Sequence, residues 1–202
     1  MFCQDIWSML SMKTGEQAIV CGQGYRLIRP LGHGKGGYSW LAGSDCRKVV
    51  LKQIHHEPCD YYTFGDKIEA ECRDYVRLRE AGIRIPEMLA ADRESERIIK
   101  EYIEGETIFE LVKSGRSAEP YFAQIREMAS KARMAGLNID YFPTNFVVRD
   151  GLLWYIDYEC NEYTDKWNFE NWGIRYWDRT PDFEAYLRSQ DNKDDVSAMK
   201  DS

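Results

Sequence analysis

Three polar residues in the last third of the chain flank a segment that the sequence predicts to be a tight β-hairpin. Asp140 and Asn145 lie in NIDYFPTNFVV, and Asp157 ends the apolar run LLWYI. The Asp-Gly dipeptide between the two apolar runs is a strong signal for a two-residue turn. In this order, the three side chains could serve as a base and two magnesium ligands around a triphosphate. Asp and Asn also organise turns, and each residue taken singly fits that role as well.

Apolar periodicity divides the chain into a β-rich part and a helical part, which indicates an α+β fold. Residues 25–31, 39–44 and 48–54 predict strands, and residues 83–103 predict a strand, a turn and another strand. Residues 65–81 have helical spacing and end before Gly82. Residues 25–103 are therefore expected to form an N-terminal lobe with an antiparallel sheet of about five strands and one helix.

The remaining chain is expected to form a reduced helical lobe over residues 104–190. Residues 105–115 and 118–136 predict a short and a longer helix, residues 167–177 an aromatic-rich buried helix, and residues 181–190 a last helix. In the aromatic segment, Trp167, Trp172, Tyr176 and Trp177 have the spacing of a core-facing stripe. Residues 1–24, which have no clear period, are expected to be an extension, and the polar residues 191–202 a flexible tail.

A glycine cluster separates the first two predicted strands. Gly32, Gly34 and Gly37 match the pattern G-x-G-x-x-G, with Gly36 in addition. Without Cβ atoms the backbone can turn sharply and approach phosphates closely. A strand-like segment follows the glycines, whereas a dinucleotide-binding motif would continue into a helix. The pattern therefore favours a glycine-rich hairpin over phosphates, and an ordinary glycine-rich loop is the alternative.

A lysine in the third predicted strand calls for an anionic partner. Lys52 lies in the apolar run VVLKQI, where an unpaired charge is costly unless its head group reaches solvent. The following helix offers Glu69 and Glu71, which are two positions apart and so point to nearly opposite faces. Glu71 lies between Ala70 and Cys72, so we favour Glu71 as the partner and expect Glu69 to be solvated.

Composition disfavours several classes of function. The net charge of −7 disfavours a general nucleic-acid-binding protein, which needs clustered Lys and Arg. The six cysteines are scattered without a C-x-x-C pair, which argues against a zinc site or a disulfide framework. His33, His55 and His56 have no partner at ligand spacing, so we expect surface or loop roles for them. No charged-then-apolar leader and no apolar run of about 20 residues is present, so a soluble, cytoplasmic protein is expected.

Taken together, these motifs resemble the protein-kinase-like superfamily over about residues 25–160. LGHGKGGYSWLA resembles the glycine-rich loop, VVLKQI the strand with the ATP-anchoring Lys, and AECRDYVRLREAGIRIPEML the helix with its partner Glu. IIKEYIEG resembles the hinge, NIDYFPTNFVV the catalytic loop, and YIDYE the metal-binding segment. The chain is most similar to small atypical kinases: RIO kinases, their archaeal-type relatives and bacterial lipopolysaccharide kinases. The resemblance implies a two-lobe kinase-like fold that binds ATP and Mg²⁺.

The resemblance also implies a role for each matching residue. The glycines Gly32, Gly34 and Gly37 would cover the phosphates, and Lys52, held by Glu71, would contact the α and β phosphates. The backbone around Glu101 to Ile103 would hold adenine. Asp140 would orient and deprotonate the acceptor hydroxyl, while Asn145 and Asp157 would bind magnesium.

Several positions depart from the family pattern. Asn138 replaces the usual His before the catalytic Asp, a scaffold position where Asn is tolerable. Phe142 occupies the place of a Lys found in many Ser/Thr protein kinases, and Tyr158-Glu159 replaces the usual Phe-Gly pair. No Ala-Pro-Glu segment follows Asp157. These departures predict a minimal enzyme, or one that borrows substrate-binding surface from a protein partner.

The sequence therefore favours an ATP- and Mg²⁺-dependent phosphotransferase that moves the γ-phosphate to a hydroxyl, such as Ser or Thr of a protein, including itself. A small-molecule kinase acting on a sugar or lipopolysaccharide-type acceptor is one alternative. A nucleotide-binding pseudokinase scaffold is another. The remaining alternative is a β-rich domain without a nucleotide site.

Overall fold

The computed structural model describes residues 12–34, 36–44, 47–56 and 66–198, with side chains described up to residue 190. Residues 1–11 of the expected extension, residues 199–202 of the expected tail and the first residue of the predicted helix 65–81 lie outside these ranges, as do Cys3, Cys46 and Cys59. The chain folds into two compact units. The first contains the residues up to 73 together with residues 86–102, and the second contains residues 74–85 together with those from 103 onward.

Six antiparallel strands form the sheet of the first unit, in the order β1-β2-β3-β4-β6-β5. Their bounds are β1 Gln17–Val20, β2 Gln23–Gly34, β3 Gly37–Ser44, β4 Arg47–Ile54, β5 Met88–Asp92 and β6 Arg97–Glu101. The mixed α+β class and the antiparallel N-terminal sheet are confirmed. We expected the fourth predicted strand to begin at residue 83, but the corresponding strand, β5, begins only at Met88.

The sheet has one strand more than the expected number of about five, because β1 forms within residues 1–24, which we expected to be an extension. Ala18 and Val20 are buried and their neighbours are exposed, which is the alternation of a strand with one covered face. A two-residue turn at Cys21 and Gly22 joins β1 to β2, with φ values of 49° and 78°. Four residues are too short for this alternation to stand out in the sequence.

Hydrogen bonds made by side chains of β5 and β6 connect the β1 end of the sheet to its opposite end, so the sheet curls. Arg97 of β6 donates a hydrogen bond to the Ile19 carbonyl at 3.0 Å. The backbone N–H of Cys21 donates to the Asp92 carboxylate at 2.9 Å. The curled sheet encloses an apolar core made of Ala18, Val20, Tyr25, Leu27, Ala42, Val49, Leu51 and Ile99.

The helix α1 runs from Lys67 to Glu80. Asp66 caps it, accepting a hydrogen bond from the Glu69 backbone N–H at 2.9 Å. Ile68 packs in an apolar cluster with Ile54 of β4 and Ile98 of β6, which orients the first turns of the helix toward the sheet. Gly82 ends the segment with a φ of 73°, a conformation that favours glycine.

The second unit combines short strands with helices. Its elements are β7 Glu106–Thr107, α2 Ile108–Lys113, α3 Phe122–Met134, β8 Leu137–Ile139, β9 Phe146–Arg149, β10 Leu152–Tyr155, β11 Cys160–Glu162 and α4 Pro181–Ala198. The strands form two small sheets, β10-β9-β7 and β11-β8. The predicted hairpin is confirmed, since β9 and β10 pair in antiparallel register across a turn with positive φ at Asp150 and Gly151. None of the described helices is long and apolar enough to cross a bilayer.

Two helix predictions for this unit were wrong. The aromatic segment 167–177 forms short 3-10 turns at Asp165–Trp167 and Gly173–Tyr176 instead of an α-helix. The Asn168 side chain accepts a hydrogen bond from the Asn171 backbone at 2.8 Å, a local bond that competes with helix formation. Of the expected core stripe, Trp177 is fully buried but Trp167 is 47% exposed. The last helix continues through Ala198, beyond the expected end at residue 190, in a stretch without Pro or Gly.

Candidate active site

Lys52 and Glu71 form an ion pair inside the first unit. Lys52 lies in β4, and its ammonium group contacts the Glu71 carboxylate of α1. The two side chains are only 11% and 15% exposed, so both charges are largely removed from water. The second carboxylate oxygen of Glu71 is buried and has no hydrogen-bond partner among the described residues. A pair of this kind contributes little net stability but is costly to break, so it favours a functional role for the lysine.

The predicted choice between the two glutamates agrees with this pairing. Glu69 lies on the outer side of α1, where its carboxylate contacts Arg93 at 2.5 Å. These side chains are 53% and 67% exposed, so their ion pair is solvated. Residues two apart on a helix point away from each other, so only one of the two could face inward, and the neighbours of Glu71 identified it as that residue.

The glycine-rich hairpin lies next to the ion pair. Gly34 of β2 pairs with Gly37 of β3, and a Cβ atom added to Gly36 would lie 3.4 Å from the Lys52 ammonium nitrogen. A Cβ atom on Gly37 would lie only 2.3 Å from the Gln53 carbonyl oxygen, so glycine is required there by packing. At Gly32 and Gly34, by contrast, an added Cβ would meet no described atom within 4 Å. Backbone at these two positions could therefore approach a ligand.

Asp140 and Asn145 belong to one tight loop of the second unit. The loop follows β8 and passes through a 3-10 turn at Pro143–Asn145 before β9. The Asp140 carboxylate accepts a hydrogen bond from the Phe142 backbone N–H at 3.0 Å. The Asn145 side-chain amide lies 3.4 Å from the Asp140 carbonyl oxygen. Both residues thus organise the turn, and both side chains are only half-buried.

A backbone bond joins this loop to the segment of Asp157. The Ile156 N–H, next to Asp157, donates to the Asn145 carbonyl at 2.9 Å. The Asp157 carboxylate accepts from the Tyr158 N–H at 2.8 Å. The pairing of β9 with β10 therefore brings the Asn and the second Asp together, as the predicted hairpin requires. Within the described ranges no group of three or more His, Cys, Asp or Glu side chains could hold a metal ion.

A buried tyrosine that sequence analysis missed connects the two segments. Tyr155 is fully buried, and its hydroxyl donates to the Glu159 carbonyl at 2.8 Å. The same hydroxyl accepts from the Asp140 backbone N–H at 3.3 Å. Burial, followed by the nearby carboxylates of Asp157 and Asp140, raises the pKa of Tyr155 well above its usual value. The hydroxyl therefore stays protonated and can remain a donor. Its only signal in the sequence was a hydroxyl within an apolar strand.

The substitutions relative to kinase motifs have structural roles. Asn138 of β8 is 4% exposed, and its side-chain oxygen accepts from the Thr164 backbone N–H at 2.5 Å. This bond fastens the segment after β11 to β8, as a scaffold residue would. Tyr158 is fully buried and packs edge-on against Tyr75 of α1, with ring centroids 5.1 Å apart.

Phe142, which stands two residues after Asp140, lies among aromatic rings. Its ring centroid is 4.8 Å from that of Tyr186 and 5.2 Å from that of Tyr176. Phe109 and Trp172 are each 6.4 Å away. The surroundings of Phe142 are therefore aromatic, at a position where many Ser/Thr protein kinases carry a Lys.

The two predicted hinge residues lie in different units. Glu101 ends β6, where its backbone N–H donates to the Glu87 carbonyl at 2.8 Å. Ile103 begins the second unit and is 4% exposed. Its burial suits an apolar side chain, while any contact with adenine would come from the backbone.

Comparison with known proteins finds one distant similarity. The chain is 29% identical over 122 residues to the KEOPS complex subunit Bud32 of Pyrococcus abyssi (strain GE5 / Orsay). The aligned part covers 59% of this chain and 56% of that protein, so the match extends over little more than half of the relative. No family profile matches the chain. The chain is therefore a distant homologue of Bud32, in agreement with the resemblance to small atypical kinases.

Proposed function

We propose that the protein is an ATP- and Mg²⁺-dependent phosphotransferase that moves the γ-phosphate of ATP to a hydroxyl group. The observation that carries the proposal is the buried ion pair of Lys52 and Glu71 beside a glycine-rich hairpin. A buried ammonium group next to backbone without side chains is suited to a polyphosphate. The distant homology to Bud32 supports a kinase-like activity.

The nucleotide would be held largely by backbone and by one lysine. Gly32 and Gly34 would let the hairpin backbone approach the phosphates, while Gly37 would let the hairpin pack against β4. Lys52 would contact the α and β phosphates, and Glu71 would keep its ammonium group in position. Adenine would contact the backbone between Glu101 and Ile103.

Magnesium would be held by Asn145 and Asp157. Amide and carboxylate oxygens are ligands that Mg²⁺ accepts, and a site with two protein ligands suits an ion that keeps water and phosphate oxygens. Bound Mg²⁺ would neutralise the charge that develops on the phosphates during transfer. The bond from the Ile156 N–H to the Asn145 carbonyl keeps the segments of these two ligands adjacent.

Asp140 would orient the acceptor hydroxyl and take its proton. The hydrogen bond from the Phe142 N–H fixes the carboxylate within its loop. The Tyr155 hydroxyl, which accepts from the Asp140 N–H, fixes the backbone of the same residue. A base held in this way loses little freedom when the acceptor binds.

The acceptor that we propose is a Ser or Thr of a protein, including this chain itself. A protein partner could supply part of the acceptor-binding surface. A second candidate acceptor is a small hydroxyl compound such as a sugar. Many Ser/Thr protein kinases carry a Lys where this chain has Phe142, and Phe142 lies among aromatic rings instead.

Phosphate transfer from γ-labelled ATP tests the proposal, with autophosphorylation and ATP hydrolysis measured in parallel. The comparison is between wild type, Asp140→Asn and the control Asp150→Asn. Asp150 is exposed in the β9–β10 turn with a φ of 53°, a conformation that Asn also adopts readily. We expect transfer in wild type and in Asp150→Asn, and none in Asp140→Asn.

Equal transfer in Asp140→Asn would show that Asp140 is not the base. Absence of transfer from all three proteins, with a thermal shift on adding Mg-ATP, would refute transfer by this chain alone and leave two readings: a nucleotide-binding pseudokinase, or an enzyme that needs its partner or acceptor. Absence of both transfer and thermal shift would indicate a domain without a nucleotide site.

A further inference from the structure

Two histidines that are 22 residues apart in the sequence meet beside the tip of the glycine-rich hairpin. His33 lies in β2, and His55 directly follows β4, so both flank the intervening strand β3. Their Nε2 atoms are 3.2 Å apart. Spacing in the sequence could not indicate this contact, because the sheet brings the two histidines together.

The geometry of this histidine pair matches that of two ligands on one metal ion. With Zn–N bonds of about 2.05 Å, nitrogens 3.2 Å apart subtend about 100° at the ion, near the tetrahedral angle. The ring centroids are 5.1 Å apart, as expected if both rings point at a common ion, which places them about 5 Å apart. A collinear N–H···N hydrogen bond of the same length would place them about 5.5 Å apart. The observed centroid distance therefore fits two ligands of one ion better than a collinear hydrogen bond.

Neighbouring groups hold the two rings in place. The Tyr38 ring stacks on His33 with centroids 4.4 Å apart and planes 10° apart. The Nε2 of His55 also lies 3.0 Å from the Gly34 carbonyl oxygen. The stacked ring plane of His33 reduces the cost of coordination, because that ligand need not be ordered when the ion binds. The Gly34 carbonyl contacts the same nitrogen of His55 that would bind the ion, so that nitrogen must give up its proton when the ion binds.

We propose that His33 and His55 bind a divalent transition-metal ion such as Zn²⁺ or Ni²⁺. Neutral imidazole is a good ligand for these ions, and the ion would replace the proton between the two Nε2 atoms. Water would complete the coordination sphere. Hard ions such as Mg²⁺ prefer oxygen and would not use this site.

Binding of the ion would connect the end of β2 to the chain after β4. The two connected segments lie on either side of β3, so the ion would cross-link them. The site itself does not depend on the proposed phosphotransferase activity, and it can be tested without ATP.

Imidazole ¹⁵N NMR of the full-length, reduced protein gives the most direct test. The chain has three histidines, so single substitutions assign every side-chain signal. On titration with Zn²⁺ we expect the Nε2 signals of His33 and His55 to shift together, with saturation at one ion per chain. The His56 signal should not follow them, because its Nε2 instead contacts the Glu96 carboxylate at 2.7 Å. Titration with Mg²⁺ should move neither signal of the pair.

Calorimetric titration with Zn²⁺ provides the second measurement. His33→Ala and His55→Gln should each weaken this binding event at least 10-fold, whereas the matched control His56→Ala should leave it unchanged. The wild-type NMR titration needs no substitution, so a variant that fails to fold does not remove the test. The proposal is overturned if Zn²⁺ leaves both Nε2 signals in place, or if the binding event survives in His33→Ala and His55→Gln.

Discussion

Removal of the Tyr155 hydroxyl should separate its contribution to stability from its contribution to catalysis. The substitution Tyr155→Phe keeps the ring, which packs against Phe146 with centroids 5.2 Å apart. It removes the bond to the Glu159 carbonyl at 2.8 Å and the bond from the Asp140 N–H at 3.3 Å. Because the residue is fully buried, solvent cannot readily replace either bond.

The magnitude follows from the geometry of the two bonds. A net hydrogen bond contributes about 0.5–1.5 kcal/mol, and the 3.3 Å bond lies beyond the usual distance range and counts at the lower end. We therefore expect the free energy of unfolding to fall by about 2 kcal/mol. For a chain of this size, that loss corresponds to a fall in Tm of about 4–8 °C. If the hydroxyl positions Asp140, kcat should also fall, by about 10-fold to 100-fold, with the KM for ATP unchanged.

Urea unfolding and steady-state phosphate transfer, both measured below the Tm of the variant, test the two effects separately. Tyr141→Phe is a matched control, because Tyr141 is a buried tyrosine of the same loop and its ring would be retained. It should retain kcat. Loss of stability in Tyr155→Phe with an unchanged kcat would refute the positioning role. An unchanged free energy of unfolding would refute the energetic reasoning.

Three further predictions follow from the first unit and from the buried tyrosine. Glu71→Gln should lower the free energy of unfolding by about 3 kcal/mol and reduce transfer, because it leaves a buried lysine without its anion. Glu69→Gln, which breaks only an exposed pair, should cost under about 1 kcal/mol, and the reverse ranking in urea unfolding would contradict the assignment. Gly37→Ala should destabilise by about 1–3 kcal/mol because of its clash with backbone. Gly34→Ala should retain the Tm but bind Mg-ATP more weakly, and equal Tm losses in the two variants would contradict this. Folding raises the pKa of Tyr155, so the stabilisation that its protonated hydroxyl provides is complete below about pH 10 and is lost as the pH rises further. In urea titrations at alkaline pH, the stability of Tyr155→Phe should therefore decline less steeply than that of wild type.

Local patterns were sufficient for the features that depend on short-range geometry. The β9–β10 hairpin was predictable because Asp150 and Gly151 accept positive φ, whatever surrounds them. The rotation between helix positions allowed only one of Glu69 and Glu71 to face inward, and the neighbours Ala70 and Cys72 favoured Glu71. The proximity of Asn145 to Asp157 then followed from the hairpin between them.

Other features were beyond local rules because partners far away in the chain create them. β1 is a strand because Ala18 and Val20 cover the core of a sheet that closes back through Arg97. The aromatic segment differs from the prediction for a local reason instead: the Asn168 side chain accepts a hydrogen bond from the Asn171 backbone N–H, and this bond competes with the helix that the spacing of the tryptophans suggested.

By itself, the sequence determined the fold class, the hairpins and the pairing of Lys52 with Glu71, since each depends on periodicity, turn conformation or helix rotation within a short stretch. Only the tertiary structure decided that His33 meets His55 and that the Tyr155 hydroxyl reaches the Asp140 backbone. These contacts join strands and loops whose separation is set by sheet pairing. Their chemistry therefore appears only when the whole sheet or hairpin has formed.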